Sequence, residues 1–438
     1  MEVVLQPQKK GGFIKRNFIF IAIISIICMF GLKSRTALIT SIAIFIAAVF
    51  FSSNEDRFCW SLFLIPNIRI YDSLGSTSLV NILICVPFFF YITRKFLRKQ
   101  SHLNATPLVM AFLLFMMEYM HIMSSNESAN SLYGWILGFM WCCYATFDKE
   151  VNINRTDIAY ALAFGVICSA IIYFVNNPWF ASDIINKIKV GHRFEAYAND
   201  PNYYSLYICL SLAGIVIKRN LKLFDYMLML ILMGIGLMTA SKMCFLLMAV
   251  SLFYLIVGTN DTMNKYIRNF LIAVFGCCAI YIMRGYISQF IDILFQRTGG
   301  NNMNINTLTT GRYDIVAEYI ELLKKDLFTF MFGKGFSYHN YLITSSMHGS
   351  HNTYLDFILA WGLSGSIVLF SVIWYWFENY KRRLSAIKYT KNSKYPFFVL
   401  ALSFFSLSCF SAGMFFFVIT FCLLQLEPLI KSSSSTDV

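Results

Sequence analysis

The chain has 438 residues, of which 58% are hydrophobic and 13% are charged, about half the charged share that is usual in a soluble domain. That balance excludes a string of soluble globular domains. The apolar residues come in blocks of roughly 15 to 20, close to the length that an α-helix needs to cross a bilayer. The net charge of +13 lies mostly in short loops between the blocks, as the positive-inside rule requires, and so does not indicate nucleic-acid binding.

Thirteen apolar blocks follow one another along the chain, and each is predicted to form a membrane-spanning helix. They cover about 17–32, 36–52, 78–92, 105–123, 131–147, 157–174, 203–217, 222–238, 242–257, 268–283, 353–377, 396–411 and 414–429. A further segment, 58–72, either adds a poor crossing or dips in and returns, so about 12 to 14 spans are expected. The predicted fold class is an all-α polytopic membrane protein, with residues 1–438 in a single integral membrane domain.

Basic residues in three short loops predict the orientation of the chain. The loops expected in the cytoplasm are 94–99, 218–222 and 381–394. The segments expected on the opposite, outer side are 175–202, 239–241 and 284–352. The basic start before the first apolar block lacks a small-residue cleavage site after it, so the first helix is expected to remain uncleaved.

All twelve cysteines lie in apolar blocks. No metal-ligand spacing such as CxxC occurs among them. They are therefore expected to be buried hydrophobic residues rather than ligands.

The first long outer loop, 175–202, contains the stretch VGHRFEAYANDPNYYSLY at 190–207. Its Asp200, Pro201 and Asn202 are typical of a turn that starts the next helix. Arg193 lies shortly before that turn.

The second long outer loop, 284–352, is too long for a simple connection and is expected to have its own structure. Apolar residues recur at helical spacing from Ile315 to Leu323. Thr310 is placed to cap this helix, and basic residues suit its end. The pattern predicts an amphipathic helix on the membrane surface. Tight turns are expected after it at Gly333, Gly335 and Gly349.

Three arginines on the outer side, Arg193, Arg297 and Arg312, are candidates for anion binding. Arginine has a planar fork that matches phosphate oxygens, and it keeps its proton at neutral pH. The alternatives are a solvated loop charge or a contact with lipid headgroups. The positive-inside rule predicts few arginines here, and Arg312 opens a helix where the helix dipole favours an acid. Both facts favour a functional role.

His351 is the candidate general base. A neutral imidazole near pH 7 can take a proton from a hydroxyl. The alternative is a histidine that only hydrogen-bonds the backbone at a helix start. A zinc site formed with His339 and His348 is disfavoured, because no carboxylate or thiolate follows at a suitable spacing, so neither metal nor cofactor is expected.

Three other ionisable residues lie near outer helix ends. Lys242, in the sequence TASK, either extends to the interface or adds charge to an anion site. Glu118 and His121 are functional candidates because ionisable groups are costly inside a membrane, although both can also reach the interface.

These motifs, in this order, resemble the family of O-antigen polymerases and O-antigen ligases, which are membrane glycosyltransferases of the GT-C type. The resemblance begins with Arg193 and the DPN turn, continues through TASK to the TGR sequence that contains Arg312, and ends with a GKG turn and HNTYLDFILAWGLSG. It is specific over about 190–365. Lys242 stands where the family often has arginine, and Trp361 stands where related chains often have an acid.

The resemblance implies a metal-independent glycosyltransferase in a bacterial cytoplasmic (inner) membrane, with its active site on the periplasmic side. Its substrate would be a glycan on undecaprenyl pyrophosphate. Arg193 and Arg312 would hold the pyrophosphate, and His351 would deprotonate the acceptor hydroxyl for an inverting transfer. The further substrate-binding residues are expected to be Arg297, Lys242, Asn352, His348 and Asn202. The expected partners are that lipid-linked oligosaccharide, membrane lipids and a chain-length regulator protein, with no nucleic acid.

Polymerase and ligase share this site and differ in the acceptor, which is another lipid-linked repeat unit or a sugar of the lipid A-core. The DPN turn and the long 284–352 loop favour the polymerase. From another class, a lipid-linked oligosaccharide flippase or transporter would place its charges along a pathway inside the bundle, often with repeat symmetry. Here the charges cluster in two outer loops.

Overall fold

The structure is a computed structural model of the chain. It describes residues 12–75, 77–97, 104–125, 130–148, 151, 153–189, 192–198, 200–218, 220–257, 292, 295, 309, 311–342, 349–384, 390 and 392–427. Within that part of the chain the regular secondary structure is entirely helical, as predicted.

The α-helices are α1 (Phe13–Gly31), α2 (Arg35–Phe51), α3 (Asn54–Leu64), α4 (Thr77–Leu97), α5 (Thr106–Ser125), α6 (Asn130–Phe147), α7 (Arg155–Asn176), α8 (Pro178–Ala181), α9 (Ile184–Lys189), α10 (Pro201–Val216), α11 (Leu223–Met238), α12 (Lys242–Val257), α13 (Arg312–Lys325), α14 (Leu327–Phe332), α15 (Thr353–Arg383), α16 (Tyr395–Phe404) and α17 (Phe415–Leu424). Short 3-10 helices cover Ile65–Leu74, Tyr338–Asn340 and Asn392–Lys394.

Four of the described helices, α1, α5, α7 and α15, are long and apolar enough to cross a membrane. Helices α2, α6, α11, α12 and α17 are apolar but shorter. The chain is thus a helical membrane protein. Every predicted span except 268–283, which lies outside the described residues, falls on a helix. The total of 12 to 14 spans stays a prediction.

The last two predicted spans are wrong in their extent. Residues 396–411 and 414–429 were expected to be continuous helices, but α16 and α17 have only 10 residues each. The intervening segment, 405–414, is not helical. Its backbone carbonyls accept hydrogen bonds from distant side chains instead, for example at Phe410, where Trp135 Nε1 donates at 2.7 Å.

The packing divides the chain into two compact units. Unit 1 comprises Met1–His102 and Asn152–Asn301, and unit 2 comprises Leu103–Val151 and Asn302–Val438. All ten cysteines in the described part of the chain are buried, as expected.

Unit 1 is built around α7. Gly165 lets the backbone of Phe63 approach closely, since an added Cβ would lie 2.5 Å from the Phe63 carbonyl oxygen. Asn67 donates to the Gly165 carbonyl at 2.9 Å, and Tyr204 of α10 donates to the Val166 carbonyl at 2.6 Å. The segment 58–72 lies inside this unit as the end of α3 and a 3-10 helix, and α3, at 11 residues, is too short to cross.

Unit 2 is organised by a break in α15. Gly362 has φ 66° and ψ −174°, a conformation that no helix contains. The carbonyls of Leu359 and Ala360, next to the break, accept the N–H groups of Lys334 and Gly335 at 2.9 and 2.7 Å. The GKG turn therefore supplies hydrogen bonds where the helix is interrupted, and buried backbone groups require such partners.

Glu118 of α5 also contacts the end of the GKG turn and α15. Its side chain is 1% exposed. One carboxylate oxygen accepts the Phe336 N–H at 2.9 Å, and the other accepts Trp361 Nε1 at 2.6 Å. Glu118 therefore holds the end of the GKG turn against α15.

Gly362→Ala is expected to destabilise the protein. An added Cβ would lie 2.3 Å from Met331 backbone atoms, and glycine-only conformations cost roughly 1–3 kcal/mol in other residues. The thermal midpoint of the detergent-solubilised protein should therefore fall.

The matched control is Gly234→Ala, at a glycine of α11 where an added Cβ meets no atom within 4 Å. Its midpoint should stay unchanged or rise slightly, because alanine is the better helix former. Equal midpoints for the two variants would contradict the role given to Gly362.

Candidate functional site

The predicted site residues of unit 1 come together in one cluster around Arg193. Arg193 Nε donates to the Thr239 carbonyl at 3.0 Å, and Nη2 donates to Asn202 Oδ1 at 3.1 Å. Ser241 Oγ donates to the same Asn202 oxygen at 3.2 Å. We call these four residues the Arg193 cluster. It joins the DPN turn to the TASK turn, which lie far apart in sequence.

Local sequence explains both turns. Asp200 caps α10 by accepting the Asn202 N–H at 2.5 Å, and Pro201 occupies the first helical position, where its missing N–H costs nothing. The TASK turn between α11 and α12 passes through Ala240, whose φ is 47°. Ser205 of α10 ties the two turns together through a 3.0 Å hydrogen bond to Thr239 Oγ1.

Acidic groups border the Arg193 cluster. The pKa of Glu195 is raised above its usual value. Burial and the neighbouring Asp200 raise it, and Arg193 offsets part of that increase. The stretch 192–200 therefore contains one arginine, Arg193, and two carboxylates, Glu195 and Asp200. Lys242, the first residue of α12, follows Ser241 directly and is half-buried.

The predicted site residues of unit 2 also lie close to one another along a short path of contacts. Arg312 is the first residue of α13, and its Nη1 donates to the Ser406 carbonyl at 2.7 Å. The next carbonyl, that of Leu407, accepts from Thr353 Oγ1 at 2.5 Å. Thr353 is two residues after His351. Segment 405–414 thus contacts both Arg312 and Thr353, the second residue after His351.

His351 lies at the start of α15 and is half-buried. Its φ of 51° is left-handed, which is uncommon for a residue other than glycine. Asn352, the next residue, caps α15 by accepting the N–H groups of Tyr354 and Leu355 at 3.0 and 3.2 Å. The imidazole is thus attached to a backbone whose conformation is set by the residues around it.

Sequence reasoning missed part of unit 2's site. Segment 405–414 was assigned to two spans, and Ser406 was not singled out. The available signal was the run SLSCFSAG at 406–413, in which small and polar residues interrupt an apolar stretch. Thr310, the predicted cap of the amphipathic helix, lies outside the described residues. The N-cap position is Gly311, with φ 80°, and the Thr309 hydroxyl accepts the Tyr313 N–H at 3.1 Å.

Two predicted site residues, Arg297 and His348, lie outside the described residues. The expectation that the loops 175–202 and 284–352 face each other concerns the placement of the two units and stays a prediction. No group of three or more histidine, cysteine, aspartate or glutamate side chains suited to a metal ion is present in the part of the chain that the structure describes.

The chemistry available in each cluster is limited and specific. Unit 1 contributes a guanidinium whose direction is set by two oxygen acceptors, and unit 2 contributes a second guanidinium and an imidazole. Guanidinium groups match phosphate oxygens, and an imidazole can accept a proton from a hydroxyl near pH 7. These are the groups needed to bind an anion and to activate an alcohol.

The fold and these clusters define a class, a helical membrane protein with arginine-centred polar clusters at the ends of apolar helices. No protein-family model matches the chain, and no curated protein matches it.

The Arg193 cluster predicts an energetic coupling. Arg193→Lys removes the planar fork, and Asn202→Ala removes one of its acceptors, so each variant already breaks the same contact. Their effects on the thermal midpoint should be non-additive, by the equivalent of about 0.5–3 kcal/mol, as is usual for residues in contact.

The control cycle pairs Arg193→Lys with Arg69→Lys. Arg69 belongs to the same unit and contacts Asp72 within its own turn at 3.1 Å. These two effects should add. Additivity in both cycles would show that the contact between Arg193 and Asn202 is not formed.

Proposed function

We propose that the protein is a surface-polysaccharide (O-antigen) polymerase. It would transfer a glycan from undecaprenyl pyrophosphate to the acceptor sugar of another lipid-linked repeat unit at the periplasmic face of a bacterial inner membrane. The observation that carries the proposal is that segment 405–414 contacts both Arg312 and Thr353, two residues after His351, so that a guanidinium and an imidazole that could bind an anion and accept a proton are held by the same segment. The order of motifs from Arg193 to Gly365 supports it.

The proposed step is a single displacement. The acceptor hydroxyl gives its proton to the imidazole of His351 while its oxygen attacks the anomeric carbon. The bond from that carbon to the pyrophosphate oxygen breaks, and the electron pair leaves with the pyrophosphate. Attack opposite the leaving group inverts the anomeric configuration.

Arg193 and Arg312 would act on the leaving group. Negative charge grows on the pyrophosphate as the glycosidic bond breaks, and preorganised donors aimed at developing charge lower the barrier. Arg193 is held by Thr239 and Asn202, and Arg312 is held by Ser406. Because each guanidinium is already held within its own unit, neither would need to change its hydrogen bonds there during the reaction.

His351→Ala is expected to abolish long glycan chains while the protein remains in the membrane, because the proton acceptor is lost. General-base catalysis typically contributes about 10²–10⁴-fold in rate. The measurement is the length distribution of surface polysaccharide on a gel, with the amount of protein checked by immunoblot.

His339→Ala is the matched control, since this histidine lies in the same outer segment but is exposed. It should give normal chains. Normal chains from His351→Ala would remove His351 from the mechanism.

Deletion of the gene tests the acceptor. For a polymerase, the surface should carry core with a single repeat unit, because units are still ligated but not extended. Bare core with accumulated lipid-linked polymer would identify a ligase instead. Bare core with only single lipid-linked units accumulated would favour a transporter. Either of these two results would overturn the polymerase proposal.

A further inference from the structure

A buried carboxylate, Asp356, lies five residues after the candidate base. Asp356 belongs to the first turns of α15 and is 3% exposed. Its Oδ1 accepts three hydroxyl groups, from Tyr338 at 2.5 Å, from Ser350 at 2.6 Å and from Ser408 at 3.2 Å. The three donors come from three separate segments of unit 2, so this one oxygen holds those segments together.

The hydrogen bonds of Ser350 bracket His351. Ser350 Oγ contacts Asp356 on one side, and it accepts the Asn352 N–H at 3.1 Å on the other. The Ser350 N–H donates to the Tyr338 hydroxyl at 2.9 Å. The residues before and after His351 are thus both fixed.

This fixation explains how His351 keeps a left-handed φ of 51°. Such a conformation costs a non-glycine residue of order 1–3 kcal/mol and persists only where the surroundings enforce it. Here the enforcing contacts converge on Asp356 and Tyr338. Burial and the Asp356 carboxylate raise the pKa of Tyr338, so its hydroxyl stays a donor at neutral pH.

The same carboxylate reaches the segments that hold Arg312. The Tyr338 ring packs edge-on against Tyr319 of α13, with centroids 5.6 Å apart. Ser408 lies two residues after Ser406, whose carbonyl accepts from Arg312. Asp356 is therefore linked through its contacts to the segments that carry Arg312 as well as to the one that carries His351.

We infer that Asp356 is the positioning residue for His351, and that it acts through Ser350 and Tyr338 without contacting substrate. The inference rests on the proposed function, because it assigns His351 the role of base. It extends that proposal by naming the group that sets the base's geometry.

Replacement of Asp356 by asparagine keeps the size of the side chain but removes the charge. Hydrogen bonds to an ionised acceptor are roughly twice as strong as those to a neutral one. The hydrogen bond from the Ser350 hydroxyl should therefore weaken. Ser350→Ala removes the contact made by the residue next to His351, and Tyr338→Phe removes the hydroxyl that contacts both Asp356 and the Ser350 N–H. Ser408→Ala removes the longest of the three contacts and should have the smallest effect.

The test uses the full chain in detergent with ¹³C-labelled histidine rings. The protein has six histidines, and His351→Ala identifies the resonance of interest. In Asp356→Asn, Ser350→Ala and Tyr338→Phe that resonance should shift and broaden. With lipid-linked glycan as substrate, kcat should fall by up to about 10²-fold, the loss that small misplacements cause, while KM stays nearly constant.

Ser403→Ala is the matched control. Ser403 is a buried serine of the same unit, and its hydroxyl donates only within α16, to the Val399 carbonyl at 2.8 Å. It should leave both the resonance and kcat unchanged.

The outcomes separate the two proposals. An unaltered His351 resonance in Ser350→Ala and Tyr338→Phe, with kcat equal to that of Ser403→Ala, would overturn the positioning role. If the wild type transfers no lipid-linked glycan, the proposed function fails, and the resonance alone still decides whether Asp356 fixes His351. Should Asp356→Asn not fold, the Ser350 and Tyr338 variants give the same decision.

Discussion

The arrangement of unit 2 depends on the backbone hydrogen bonds that a broken helix leaves to be satisfied. At Gly362 the helix α15 is interrupted, and the N–H groups of Lys334 and Gly335 bond to its carbonyls. In an apolar surrounding an unpaired carbonyl is costly, so the GKG turn is held in that position. Glu118 reinforces the joint from α5. The GKG turn is thereby fixed to α15 near the start of that helix, where His351 and Asp356 lie.

In both units the side chain of an arginine is positioned by hydrogen bonds to oxygen atoms. Arg193 lies in the loop before α10, and its guanidinium is positioned by Asn202, nine residues on, and by the distant Thr239 carbonyl. Arg312 begins α13, and its guanidinium is positioned by the carbonyl of Ser406, which is also distant in sequence. Main-chain carbonyls and a side-chain amide oxygen accept these hydrogen bonds and so set the position of each guanidinium.

Much of the fold was predictable because apolar blocks of near-spanning length have few alternatives to a helix. The helix α13 was also predictable, since apolar residues recur in it at helical spacing and basic residues lie at its end. The failures lie where tertiary contacts compete with helix formation. Segment 405–414 reads as apolar, yet its carbonyls bond to Trp135, Arg312 and Thr353. Pattern analysis carries no information about those partners, because they come from other helices.

The residue sequence alone determined the class of protein and singled out the candidate functional groups. Length and hydropathy define a helical membrane protein, and Arg193, Arg312 and His351 stand out because polar groups are costly in such a chain. Only the tertiary structure decided how these groups are held. The left-handed backbone of His351 and its support by Asp356 depend on hydroxyls from Tyr338, Ser350 and Ser408. Hydrogen bonds act over a few ångströms in space, and spacing along the chain does not encode which distant groups come that close.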